Sequence, residues 1–121
     1  MTRLLVCGPR DYPDYWTVHE ILDAMHRVNP ITCLIEGGAL GVDRFARAWA
    51  VKNGVPTDPC EVDHTLDGPW PAAGSRRNQR MMREKRPDRV LAFVATPPTK
   101  GTADMVRQAK RAGVPVREIG I

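Results

Sequence analysis

Three stretches of this chain combine residue types that suit the holding of an anion. The first reads Glu36-Gly37-Gly38-Ala39-Leu40-Gly41-Val42-Asp43-Arg44. Glycines permit positive φ and let backbone N–H groups approach an anion with no side chain in the way. A helix starting just after them adds unpaired N–H groups and a partial positive charge. The same letters also suit a plainer role, in which Gly37-Gly38 turns the chain and Gly41 lets helix pack on strand. The second stretch is Lys100-Gly101-Thr102, again a glycine before a helix start, with a cation beside it and a hydroxyl that can cap the helix or bond a phosphate oxygen. Asp104, in the first turn, complements the helix dipole. The third is Arg77-Asn78: the guanidinium can clamp a phosphate or carboxylate bidentately, and the amide can bond a ribose hydroxyl or a base edge. Gly8 with Arg10-Asp11-Tyr12 belongs to an earlier loop that would face the same crevice. Trp70-Pro71 suits a lid that stacks on a base, or a pin that holds its loop to the core.

The elements that must position these residues alternate along the chain. Leu4 to Cys7 is a short apolar run ending at Gly8, as expected of a strand buried on both faces. Val18, Ile21, Leu22, Met25 and Val28 recur at helical steps until Asn29-Pro30. Ile31 to Ile35 is a second strand, and Val42, Phe45, Ala46, Trp49 and Ala50 mark a second helix that stops near Asn53-Gly54. Val55 to Cys60 reads as a weak edge strand interrupted by prolines. Glu61 to Gly74 reads as a long loop, Ser75 as the cap of a third helix ending before Pro87, and Arg89 to Val94 as the clearest strand. Thr102 is expected to cap a fourth helix that Gly113 ends, and Val114 to Ile119 forms the last strand. The alternation predicts an α/β Rossmann-like fold: about five parallel strands in the order 3-2-1-4-5, with helices on both faces. Ligands of such sheets bind beyond the carboxyl ends of the strands, where the strand order reverses, which selects the loops after strands one, two and four.

Bulk composition narrows the functional classes. The 121 residues suit one domain, 1–121, and 42% hydrophobic with 26% charged residues is ordinary for a globular protein. No apolar run approaches the ~20 residues that span a bilayer, and Met1 to Cys7 breaks into Gly8-Pro9 too soon for a signal peptide. A cytoplasmic protein without membrane partners is expected. Cys7, Cys33 and Cys60 have no CxxC spacing and sit in or beside strands, and His19, His26 and His64 form no ligand pair, so neither a metal nor a cofactor is expected. Residues 1–74 carry six Lys/Arg against ten Asp/Glu, whereas 75–111 carry eleven against three. A net charge of that sign attracts polyanions or phosphorylated small molecules, although most of these side chains suit solvated helix faces.

Taken together, Gly37-Gly38-Ala39-x-Gly41-Val42-Asp43, Ala72-Ala73-Gly74-x-x-Arg77-Asn78-x-x-Met81 and Lys100-Gly101-Thr102-Ala103-Asp104-Met105 resemble the SLOG superfamily, in its YspA-like branch of small single-domain proteins, many of them from phages and bacteria. The likeness runs from Cys7-Gly8-Pro9-Arg10-Asp11-Tyr12 to Gly113-Val114-Pro115-Val116. It implies a Rossmann-like domain that binds nucleotides or their derivatives, often as a homo-oligomer. Relatives include the Lonely Guy phosphoribohydrolases, a single-strand-binding DNA-processing protein and nucleotide sensors of bacterial defence. The hydrolases carry PGGxGTxxE, whereas this chain has Thr96-Pro97-Pro98-Thr99-Lys100-Gly101-Thr102-Ala103-Asp104-Met105: Met105 stands where the catalytic Glu belongs, and Asp104 is one residue early, about 100° round a helix.

Three functions follow as expectations. The first is a binding module, a sensor or a sequestering protein, in which Gly37, Gly38, Gly41, Gly101 and Thr102 hold phosphate, with Lys100 beside them. Arg77 and Asn78 then orient the sugar or phosphate, and Gly8, Arg10 and Asp11 close the far side. The second is an N-glycosidic phosphoribohydrolase with Asp43, Asp104 or Asp11 as carboxylate and Arg77 in support, since an oxocarbenium-like transition state needs a carboxylate at the anomeric carbon. The third is single-stranded nucleic-acid binding through residues 75–111, against which an aromatic content of 6% counts. Leu40, Phe45 and Trp49 suit either a helix-mediated dimer or the core.

Overall fold

A computed structural model describes residues 1–121. The elements are β1 (Thr2–Cys7), α1 (Tyr15–Val28), β2 (Ile31–Glu36), α2 (Val42–Lys52), β3 (Thr57–Pro59), α3 (His64–Asp67), α4 (Ala73–Lys85), β4 (Arg89–Val94), α5 (Lys100–Arg111) and β5 (Val116–Gly120). All strand pairs are parallel, and the sheet order is β3-β2-β1-β4-β5. The strand order therefore reverses about β1, between β2 and β4, as the sequence pattern predicts.

Alternation along the strands builds a core on each face of the sheet. Leu4 and Val6 of β1, Leu34 of β2 and Leu91 and Phe93 of β4 pack with Val18, Leu22, Val42, Ala46 and Trp49 of α1 and α2. Leu5, Ile35 and Val90 point the other way and pack with Met81, Met105 and Ala109 of α4 and α5. Trp49 belongs wholly to the core, with its indole N–H donating to Asp23 at 2.8 Å. Of the three residues read as suiting core or dimer, Leu40 is exposed and Phe45 half-buried.

The structure departs from the sequence reading in the stretch between β3 and β4. Glu61 to Gly74 is not all loop: Asp63 caps α3, its carboxylate accepting from the Thr65 N–H at 2.9 Å, and α4 begins at Ala73. Ser75 is therefore inside α4 and is not its cap. Thr102 likewise lies inside the first turn of α5, with Thr99 in the N-cap position. Both shifts matter, because they decide which backbone N–H groups are open at the sheet edge. No helix is long and apolar enough to cross a membrane.

Candidate functional site

Past the carboxyl ends of β1, β2 and β4 lies a cavity of about 330 Å³, within the usual range for small-molecule sites. Glycine at the end of β1 is what lets the layers close there. A Cβ on Gly8 would come within 2.7 Å of a Val42 methyl and 3.0 Å of the Phe93 Cβ. Gly41, at the start of α2, holds φ +75°, and a Cβ there would lie 2.5 Å from the Pro9 carbonyl oxygen. The β1–α1 and β2–α2 loops are thus in backbone contact.

Two helices enter this region with open N-termini. In α5 the first bond of the ladder runs from the Ala103 N–H to the Thr99 carbonyl (2.9 Å), so the N–H groups of Lys100, Gly101 and Thr102 precede it, and no side chain caps them. In α4 the first bond runs from Arg76 to Ala72 (3.0 Å), leaving those of Ala73, Gly74 and Ser75 likewise uncapped. Gly74, Gly101 and Thr102 all line the cavity. The Thr99 hydroxyl donates to that of Thr102 at 2.9 Å.

Arg77 and Asn78 tie the two glycine loops together. The Arg77 Nη1 donates to the carbonyls of Gly37 (2.8 Å) and Cys60 (3.2 Å), and its Nε donates to the Asn78 Oδ1 (3.0 Å). The Asn78 amide in turn donates to the Gly101 carbonyl (3.3 Å) and to Asp104 (2.9 Å). One hydrogen-bonded strap therefore runs from the Gly37 carbonyl to the Gly101 carbonyl. Asn78 is buried with both of its N–H donors used in it, while the Nη2 of Arg77 has no partner.

The Gly37–Gly41 turn differs from the sequence reading in a way that matters chemically. Its amides are already taken: Gly37 and Ala39 donate to the Asp43 Oδ2 at 3.1 and 3.3 Å, and Gly38 donates to the Glu36 Oε1 at 2.6 Å. The concavity that suits an anion holds the chain's own carboxylate. Asp43 is 5% exposed and lines the cavity. Burial, and then the nearby Glu36 carboxylate, push its pKa up from 3.8 to about 7, against the opposing pull of the two amides and of Arg77. Glu36 itself is completely buried and is held by Arg47, with Nε to Oε2 at 2.9 Å and Nη2 to Oε2 at 2.8 Å.

Asp104 faces elsewhere. Its carboxylate accepts from Ser75 (3.0 Å), Asn78 (2.9 Å), Arg107 (2.9 Å) and Gln108 (2.8 Å), which makes it the knot between α4 and α5. It does not line the cavity, nor do Asp11, Gly38, Gly41 and Lys100. The cavity does bring together Gly8, Arg10, Gly37, Asp43, Arg77, Asn78, Gly101 and Thr102 of the residues singled out from sequence. Its apolar wall of Val6, Val62, Met81 and Met105 was not foreseen, whereas Trp70, read from sequence as a lid or a pin, lines the cavity and is 64% exposed. Cys7 also lines it, but burial pushes its thiol far above the ordinary range, with Asp43 adding to the shift, which disfavours the thiolate. No three His, Cys, Asp or Glu side chains are grouped so as to hold a metal ion.

A five-stranded parallel sheet with a cavity at the reversal of strand order makes this a Rossmann-like α/β fold. The chain belongs to the YspA, cpYpsA-related SLOG family (YAcAr), whose model matches residues 2–66. It is also 36% identical over 126 residues to the Gene 61 protein of Mycobacterium phage D29, an alignment covering 99% of this chain and 98% of that protein. The family match takes in the Gly37–Asp43 turn, and the alignment with the phage protein spans the rest of the chain.

Proposed function

We propose that this chain binds a nucleotide, or a nucleotide-derived phosphate ligand, in the cavity at the edge of β1, β2 and β4, and does not turn it over. The observation that carries this reading is the convergence of two uncapped helix N-termini, α4 and α5, on one cavity that also holds Arg10 and the free Nη2 of Arg77. Backbone N–H groups at helix starts favour phosphate through both hydrogen bonding and the helix dipole. Val6, Met81 and Met105 offer an apolar wall for a base, and Trp70 is free to stack on it. Membership of a SLOG family supports a nucleotide-related role. Isothermal titration with the common 5′-nucleoside monophosphates tests it: saturable binding is expected, and its absence for all of them overturns the reading.

Hydrolysis of the N-glycosidic bond is the second reading, and Asp43 is what favours it, as a cavity carboxylate whose pKa near 7 suits proton transfer. Two observations weigh against it. Met105 lines the cavity at the position where the hydrolases carry Glu, and Asp104 has all its lone pairs directed at α4 and α5 donors. Release of free base at high protein concentration, lost in Asp43→Asn, would establish it over simple binding. The exposed Leu40 beside the half-buried Phe45 also supports a homo-oligomer, which native mass spectrometry tests by counting subunits and any retained ligand together.

A further inference from the structure

The charged side chains and the open helix-start amides of the cavity are donors, with one exception. Arg10, the free Nη2 of Arg77 and the amides of Gly74, Gly101 and Thr102 all present N–H. Asn78 spends both of its N–H donors within the strap, and its Oδ1, which already accepts from Arg77, is a neutral acceptor with one lone pair left. Asp43 is the exception: its Oδ2 is held by two amides, while its Oδ1 makes no bond within the chain. In dinucleotide-binding sheets a carboxylate near the end of the second strand takes the ribose hydroxyls. Here the residue at that strand end, Glu36, is sealed from solvent and bound to Arg47 and the Gly38 N–H, so it is not free for a ligand.

Resting on the nucleotide reading above, we infer that Asp43 is the ligand's sugar-reading residue, its free carboxylate oxygen accepting hydrogen bonds from a ribose 2′,3′-diol, so that the cavity selects ribonucleotides. The placement fits. Asp43 is anchored to the end of β2 through Gly37, and the α5 amides follow β4. β1 lies between these strands, so the two ends of the site are separated by two strand spacings, roughly 9–10 Å. A phosphate seated on the α5 amides, its ribose and two hydrogen bonds of about 2.8 Å each can span that distance.

The test compares the four common 5′-ribonucleoside monophosphates with their 2′,3′-dideoxy counterparts by isothermal titration. A ribose preference of roughly 10- to 100-fold is expected, the range for a hydrogen bond to a charged group. Asp43→Asn keeps an acceptor oxygen for the Gly37 and Ala39 amides but replaces the ionisable oxygen by N–H donors that make only neutral hydrogen bonds to the hydroxyls. It should shrink the preference to under about 10-fold and remove its pH dependence. In the unaltered protein the ribose-to-dideoxy ratio should also climb as pH rises through about 7, because Asp43 accepts best when ionised. Glu36 from β2, Cys7 from β1, Arg77 from α4 and Arg10 from the β1–α1 loop are the other charged or titratable groups around it. The phosphate's own second ionisation near pH 6 is shared by both ligands and cancels in the ratio. Equal affinity for both sugars, or a preference whose size and pH dependence are unchanged in Asp43→Asn, overturns the assignment and leaves the nucleotide reading standing. Absence of binding by all eight ligands overturns both.

Discussion

Asp43 is at once the structural filler of a glycine turn and the one carboxylate that faces the cavity. Its elevated pKa has a consequence for stability whose sign is opposite to that of an ordinary ion-paired carboxylate. The folded value, about 7, lies above the unfolded one near 3.8. Between these values the unfolded chain loses its proton first, so stability falls as pH rises from about 4 to 7 and levels off beyond. Asp43→Asn should flatten that part of the pH profile in urea denaturation; an unchanged slope would show that the carboxylate ionises normally in the fold. Asp67 behaves in the reverse manner. It is 1% exposed, and Arg80 binds both of its oxygens, at 2.9 and 2.8 Å, which holds its carboxyl down to about 2. That stabilisation is complete above the unfolded value near 3.8 and disappears as pH drops toward 2. It amounts to roughly 2 kcal/mol, and Asp67→Asn should remove the corresponding acid-side loss.

At the scale of elements, two hydrogen-bonded knots set the loops. One is the Glu36–Arg47 pair between the end of β2 and the body of α2. Arg47→Met leaves Glu36 buried without its cation and should cost about 3–5 kcal/mol in chemical denaturation, whereas a surface ion pair of the same composition would cost under about 1. The other is Asp104, which gathers donors from α4 and α5. Gly101, in the first turn of α5, has open space where a Cβ would be, so Gly101→Ala should raise stability by about 0.5–1 kcal/mol while leaving the backbone N–H in place. The alternation of apolar runs made the strands, their order and the helices legible, because buried parallel strands and helical stripes leave different periods. Less legible were the helix starts. Ser75 and Thr102 have the right chemistry for caps, yet each helix begins two residues earlier, and their hydroxyls bond to Asp104 and Thr99 instead. The destination of the glycine-turn amides was hidden as well, since an Asp six residues after Gly37 reads equally as a first-turn acid and as a plug for the turn.

Viewed as a whole, the molecule turns three cations of its basic segment toward internal partners. Arg77 braces the site, Arg80 pairs with Asp67, and Lys85 bonds Asp58 at 2.7 Å. The other eight Lys/Arg of residues 75–111 are exposed, so the strip keeps most of its positive charge at the surface. The three-residue β3 and the partly exposed β5 are the edges of the sheet and β1 is its central strand, so amide exchange should be slowest in β1 and β4 and fastest in the outer strands.

The most direct test of the account is a ¹H–¹⁵N NMR titration of the whole chain with adenosine 5′-monophosphate and, in parallel, inorganic phosphate. The account predicts saturable shifts concentrated at the Gly74, Ser75, Gly101 and Thr102 amides, with the Gly37 and Ala39 amides responding to the nucleotide only through Asp43. Shifts confined to the outer faces of α4 and α5, around Arg83 and Arg111, or no saturable change with either probe, would contradict it.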